Sequence, residues 1–204
     1  MLKINKGGVS TTTAVLAIIV IVLAVAIIYL YYTQVAGREG QTPSYTTPAQ
    51  TAQPSEGMKL PYDPASKTVY LVLDTRTPNY DFNGSTRGRL VVYIPAGWNL
   101  EIKYYNKDPG NLPHSVGIIK NTTATPKSAD VTKDGELIVW APDSAQGKAG
   151  FLIGIDVQED TSLRSPPLPE GVYWIACGVP GHAIGGMWIV LVSSSKVSEP
   201  FYST

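Results

Sequence analysis

The only cysteine, one of two histidines and one of three methionines fall in one short stretch, Cys177-Gly-Val-Pro-Gly-His182-Ala-Ile-Gly-Gly-Met187. A thiolate, an imidazole and a thioether offered from one loop form a soft donor set, and the metal that suits this mixture is copper. Two histidines and a cysteine in a trigonal set, with a weak axial methionine, are the ligand pattern of blue electron-transfer sites. Three of the four groups are present in the loop, so one more imidazole is needed. The chain has one left, His114, in Asn111-Leu-Pro-His-Ser-Val116. Taken singly, Cys177 is a small buried hydrophobe, His182 and His114 are loop residues, and Met187 is a strand-end core residue. Their joint spacing makes copper the better reading. Met1 and Met58 have no such neighbours.

The counts exclude much else. One cysteine allows no intramolecular disulfide and no zinc site built on several thiolates. The motif for covalent haem attachment, C-x-x-C-H, is absent. A multicopper oxidase or nitrite reductase needs further histidines, and a binuclear copper centre needs a second cysteine. Sixteen basic residues balance sixteen acidic ones, and charged residues make up 16% of the chain. No basic stripe exists, so nucleic acid is not an expected partner. Four protein ligands would leave no open position, unlike a catalytic metal site, which keeps one for water or substrate. The expectation is therefore an electron carrier, not an enzyme, with no small-molecule substrate. A copper chaperone or storage domain is the alternative.

The elements that must position these groups lie in the C-terminal three quarters of the chain. Thr68–Leu73, Arg89–Ile94, Asn99–Tyr105, Ser115–Lys120, Glu136–Trp140, Phe151–Ile155, Val172–Ala176 and Met187–Val192 read as strands. Asn83-Gly84, Asp108-Pro-Gly110 and Asp134-Gly135 read as turns between them. No convincing amphipathic helix follows residue 60. About eight short strands with frequent Gly and Pro turns predict an all-β sandwich or barrel. The ligand loop would then join two strands, with His114 at the mouth of another. Trp174 and Trp188 are expected to keep water from the site.

Residues 1–32 read as a membrane anchor. Val9 to Tyr32 carries no charge, and Ala14 to Leu30 is an unbroken apolar run, long enough for a transmembrane helix. Lys3 and Lys6 precede it, which places the N-terminus in the cytoplasm and the rest outside. Residues 33–60, rich in Thr, Gln, Pro and Ser, read as a tether. Residues 61–204 form the expected head domain. Asn83-Gly-Ser85 and Asn121-Thr-Thr123 are glycosylation sequons, the former also a turn.

Four segments carry a family resemblance: Asp81-Phe-Asn-Gly-Ser85, Tyr93-Ile-Pro-Ala-Gly-Trp-Asn99, Leu112-Pro-His-Ser115, and Tyr173-Trp-Ile-Ala-Cys-Gly-Val-Pro-Gly-His182 running on to Gly186-Met-Trp188. They make residues 65–192 similar to the blue copper proteins, or cupredoxins, and most closely to the membrane-anchored archaeal sulfocyanins. Rusticyanin is a more distant soluble relative. The resemblance implies a Greek-key β-sandwich and one type 1 copper bound by His114, Cys177, His182 and Met187. It also implies a one-electron carrier in an aerobic respiratory chain, whose partners are redox proteins such as cytochromes and a terminal oxidase. The expected place is the cell membrane, with the copper domain on the extracellular side.

Overall fold

Alternation between buried and exposed side chains sets the architecture. In Asn99–Tyr105 the even residues Leu100, Ile102 and Tyr104 are fully buried and the odd ones are half-exposed, the pattern of a strand with one face on a core. The computed structural model describes Ala26, residues 57–143 and residues 147–204. Eleven strands appear among them: β1 (Met58–Lys59), β2 (Tyr62–Asp63), β3 (Thr68–Asp74), β4 (Val91–Pro95), β5 (Asn99–Tyr105), β6 (Val116–Asn121), β7 (Gly135–Ala141), β8 (Asp160–Arg164), β9 (Gly171–Ala176), β10 (Trp188–Ser194) and β11 (Phe201–Ser203). One sheet runs β1-β11-β4-β10-β9-β6-β7 and the other β2-β3-β5-β8. The chain is an all-β sandwich, as expected.

The inner faces supply one core. Val69, Leu71 and Leu73 of β3 and Leu100, Ile102 and Tyr104 of β5 meet Val92, Ile94, Val116, Ile118, Ile175, Ile189 and Leu191 from the larger sheet. The outer face of the larger sheet holds a second, smaller cluster of Ile119, Val131, Phe151, Trp174, Ala176, Ala183 and Trp188. Strand β9 therefore divides its residues: Tyr173 and Ile175 point inward, Trp174 and Ala176 outward. Each fully buried aliphatic side chain contributes roughly 1.5–3 kcal/mol, so these two clusters supply most of the driving force.

Two differences from the sequence reading have clear causes. Phe151–Ile155 does not form a strand; it lies mostly within α1 (Ala149–Ile153), a short helix ended by Gly154 at φ 83°. An unalternating apolar run fits either element. The helix lets Phe151 pack into the outer cluster, where its ring occupies the space left by Gly117 and Gly178. The four additional strands, β1, β2, β8 and β11, are short or polar. β8 buries only Leu163 of its five residues, so it carried no hydrophobic signal. β1 pairs with β11 through Met58–Tyr202 and Lys59–Phe201, and Leu60 is buried. The folded domain thus begins within the stretch read as tether. The anchor falls outside the described residues apart from Ala26, which is helical, and the tether falls outside them up to residue 56. Among the described residues no helix is long and apolar enough to cross a membrane.

The turn at Asn83-Gly84 is as read. Both residues have positive φ, 54° and 76°, and Phe82 and Ser85 exchange backbone hydrogen bonds across it. The Asn83 amide also donates to Val72 O and accepts from the Asp74 N–H, so it caps the edge of β3.

The loop between β6 and β7 is held by one carboxylate. Asp134 accepts from the N–H groups of Lys127 and Ser128 and from the Ser128 hydroxyl, at 2.7–2.8 Å. Burial alone would push its pKa up, but these donors outweigh it and hold the carboxyl below its ordinary value of 3.8. Because the folded value is the lower one, this stabilisation is present above pH 3.8 and is lost as pH falls through the folded value. Asp134→Asn is expected to lower unfolding stability by about 2 kcal/mol at neutral pH. Chemical denaturation of both proteins from pH 7 to pH 2 should show the gap closing only in acid.

Candidate metal centre

Strand β9 ends at Ala176, and the next residue, Cys177, is fully buried. The chain then leaves the sheet and returns at Trp188, which pairs with Ala176 in β10. The return is closed by a hydrogen bond from the Cys177 N–H to the Met187 carbonyl, 3.1 Å. Between them lies α2 (His182–Gly185), one turn of helix preceded by Gly181 at φ 89° and followed by Gly186 at φ 130°. Those positive φ values favour glycine strongly and turn the chain sharply enough to bring His182 back over Cys177.

His114 arrives from the other side of β9. Gly117 of β6 pairs with Ala176, which sets the residues just before β6 beside Cys177. His114 is clamped to Ile155 by two backbone hydrogen bonds, 3.1 and 2.8 Å. Gly154 permits this close approach: a Cβ there would lie 2.8 Å from the His114 carbonyl.

The structure brings together three of the four donors named from the sequence, His114, Cys177 and His182. His114 Nδ1 and His182 Nδ1 are 3.0 Å apart. Cys177 Sγ lies 3.9 Å from the first and 3.6 Å from the second. All three residues are buried, and their ligating atoms lie within 4.8 Å of one another. Met187 is fully buried in the same core cluster as Cys177. Convergent, buried, uncharged donors of this kind fit a soft metal ion, which would separate the two facing ring nitrogens.

Groups around the cluster orient it. His114 Nε2 is 3.0 Å from Asp108 Oδ2, and both side chains are almost fully buried. Asp108 also accepts from the N–H groups of Gly110 and Leu112. Burial raises its pKa, but those N–H groups and the His114 ring together hold the carboxyl below its usual range. The ionised carboxylate accepts a hydrogen bond from the Nε2–H of His114, so Nδ1 is left as the lone-pair face toward the cluster. Tethering of this kind fixes a ligand's tautomer. Burial depresses the pKa of both imidazoles. For His182 the value falls to about 4, with the neighbouring His114 adding to the effect. Both rings are therefore neutral and able to ligate at neutral pH. Burial pushes the Cys177 thiol up, against hydrogen bonds from Ser115 and Val179. A metal, not the protein alone, would be needed to hold it as thiolate.

Sequence reasoning missed Asp108 and Tyr80. Asp108 had been read only as part of a turn. Tyr80 stacks on the His182 ring, with centroids 4.4 Å apart, and meets His114 edge-on at 6.3 Å. No periodic signal marks either residue. The tryptophan expectation is corrected: Trp174 and Trp188 belong to the outer cluster, on the far face of the sheet from Cys177. The alternation of β9 requires it, since Ile175 and Cys177 share the opposite face. Water is excluded on the core side by neighbours such as Phe82, Tyr104 and Val116, all fully buried.

A family model of the sulfocyanin (SoxE) domain matches residues 55–204. The chain belongs to the sulfocyanin family. It is 35% identical to a sulfocyanin of Sulfolobus acidocaldarius over 147 residues, 69% of this chain and 71% of that one. Among solved structures, it is similar to rusticyanin from Thiobacillus ferrooxidans, at 19% identity over 62% of this chain and 77% of that one, TM-score 0.44. It is also similar to auracyanin from Roseiflexus castenholzii, at 14% identity over 61% and 95% respectively, TM-score 0.44. Sulfocyanin membership and the buried imidazole–thiol–imidazole cluster together make this chain a blue, type 1 copper protein of the cupredoxin kind, an electron carrier.

If Asp108 fixes His114 as described, Asp108→Ala should weaken copper binding by about 10–100-fold. A competition titration against a chelator of known affinity measures this, and an unchanged affinity would show that His114 is held by its backbone clamp alone.

Proposed function

We propose that this chain is a membrane-anchored one-electron carrier of an aerobic respiratory chain, with copper held by His114, Cys177, His182 and Met187. The observation that carries the reading is the convergence of Cys177 Sγ and two Nδ1 atoms at one dry end of the sandwich. Copper held there supplies a one-electron couple between its cupric and cuprous states. The protein's part is rigidity. Cys177 is pinned by the Met187 carbonyl, and Ser115 braces the loop by accepting the Gly178 N–H at 2.8 Å. His114 is held by Ile155 and Asp108. Donors fixed by separate hydrogen bonds cannot rearrange freely when the charge at the centre changes, which favours fast electron exchange.

His182 is the ligand nearest to solvent, 7% exposed, and its helix carries Ile184, 48% exposed. With the exposed Pro180, this small apolar tip suits brief contact with a redox protein. Cytochromes and a terminal oxidase are the partners of this reading, and the apolar N-terminal segment supports a position on the outer face of the cell membrane.

The deciding experiment is the visible spectrum of the copper-loaded full chain. An intense thiolate-to-copper charge-transfer band, lost in Cys177→Ser, is the expected result. A colourless, weakly held copper would overturn the carrier reading in favour of copper delivery or storage.

Hydrogen bonds to the sulfur stabilise the more electron-rich cuprous state. The Ser115 N–H and hydroxyl approach Sγ at 3.4 and 3.7 Å. Ser115→Ala removes the second and should lower the midpoint potential by about 20–60 mV, the equivalent of one ordinary hydrogen bond. Voltammetry of the two proteins tests this.

A further inference from the structure

Beside the ligand helix lies a polar cavity of 440 Å³ whose lining includes Tyr80, Thr86, Arg87, Arg89 and Gly185. Its wall is tied directly to the metal centre. The Arg87 N–H donates to Gly186 O at 2.8 Å, and its guanidinium reaches Gly185 O at 3.3 Å. Both carbonyls belong to the chain between His182 and Met187. Tyr80, stacked on the His182 ring, packs so closely on Gly185 that a Cβ there would meet its ring at 2.8 Å. Tyr80 and Arg87 also hold φ at 57° and 55°, a conformation that non-glycine residues adopt at a cost and that gathers at functional sites.

The charge at this cavity is uncompensated. Of the arginines among the described residues, Arg76 pairs with Asp74 and Arg164 with Glu101. Arg87 and Arg89 pair with no carboxylate among the described residues, and both are exposed. The acid in the same loop, Asp81, is fully buried. Its oxygens are occupied by the N–H groups of Arg76, Thr77 and Gly84 and by the Thr77 hydroxyl. Two guanidiniums that pair with no carboxylate among the described residues thus lie beside the ring that covers a metal-site imidazole.

We infer that Arg87 and Arg89 form an electrostatic docking rim for an acidic redox protein, placed so that the partner's carboxylates settle beside Tyr80 and the His182 edge. The partner is a protein rather than a small anion because both arginines are exposed and none of the residues lining the cavity is buried, so it holds no buried polar group to fix an ion. Charges of this kind act on the encounter rate more than on affinity. The apolar tip at Ile184, next in the chain to Gly185, then completes a footprint that is cationic on one side and apolar on the other. This inference rests on the electron-carrier reading.

The test uses the copper-loaded full chain and two reduced haem proteins of opposite charge, acidic cytochrome b5 and basic cytochrome c. In each reaction one electron passes from ferrous haem to cupric copper, leaving ferric haem and cuprous copper. Because Arg87 also bonds the ligand helix, Arg89→Gln, whose guanidinium hydrogen-bonds the Thr86 hydroxyl and no group of that helix, is the cleaner variant and accompanies the pair Arg87→Gln/Arg89→Gln. At low salt the expected rate with cytochrome b5 falls about threefold in the single variant and about tenfold in the double. The salt dependence should become shallower, with the cytochrome c rate unchanged or raised and the visible spectrum unaltered in the single variant. Equal losses with both haem proteins, an unchanged cytochrome b5 rate, or a spectrum altered by Arg89→Gln would each overturn the inference. A wild-type chain that exchanges electrons with neither protein would instead overturn the carrier reading itself.

Discussion

The register of β9 is the constraint on which the rest depends. On one side it pairs with β10 so that Ala176 faces Trp188, and on the other it pairs with β6 so that Ala176 faces Gly117. One residue beyond that shared point is Cys177. The same alignment therefore delivers the thiol, the return of the chain at Met187 and the approach of His114. A one-residue slip in either ladder would turn the neighbouring side chains to the opposite face and would send Cys177 into the outer cluster instead of the inner core.

Around this alignment, the protein keeps the donors dry and neutral. The carboxylate hydrogen-bonded to the cluster is that of Asp108, and it is committed to N–H groups and to the outward nitrogen of His114. The surface loop before β7 adds support from outside: the Gly181 N–H donates to Ala129 O, in the segment that Asp134 ties down. A carboxylate in a connecting loop thus stiffens the residue next to His182. The rigidity of the centre is distributed over elements far apart in sequence.

Much of this was legible in the sequence because it rests on rare residues and on short-range pattern. Counting two histidines and one cysteine singled out His114, Cys177 and His182, and the structure brings those three together. Apolar β-rich runs bounded by turn signals, with period-two alternation in β4 and β5, located seven of the longer strands to within a few residues. What was not legible depends on long-range contact. Short edge strands such as β1 and β11 exist because each finds a partner across the domain, and a two-residue strand has no pattern of its own. Phe151 became helical because its ring fits the space beside two glycines, Gly117 of β6 and Gly178 of the ligand loop. Asp108 and Tyr80 gain their roles only from the imidazoles they touch. The side of the sheet on which Trp174 lies follows from the sequence in principle, by parity with Cys177, once β9 is known to run unbroken up to that residue.

The separation between His114 and Cys177, 63 residues, bears on the order of events during synthesis. The ladder that joins them cannot close until β9 has been made and has found β6, and contacts of such span form slowly. The loop of Cys177, His182 and Met187 is local, but without His114 it presents an incomplete and hydrated set of donors. The full donor set is thus offered only once β6 and β9 have paired. The finished sandwich works as a proofreader of its own cofactor, since only a chain that has paired its strands correctly offers all the donors at once.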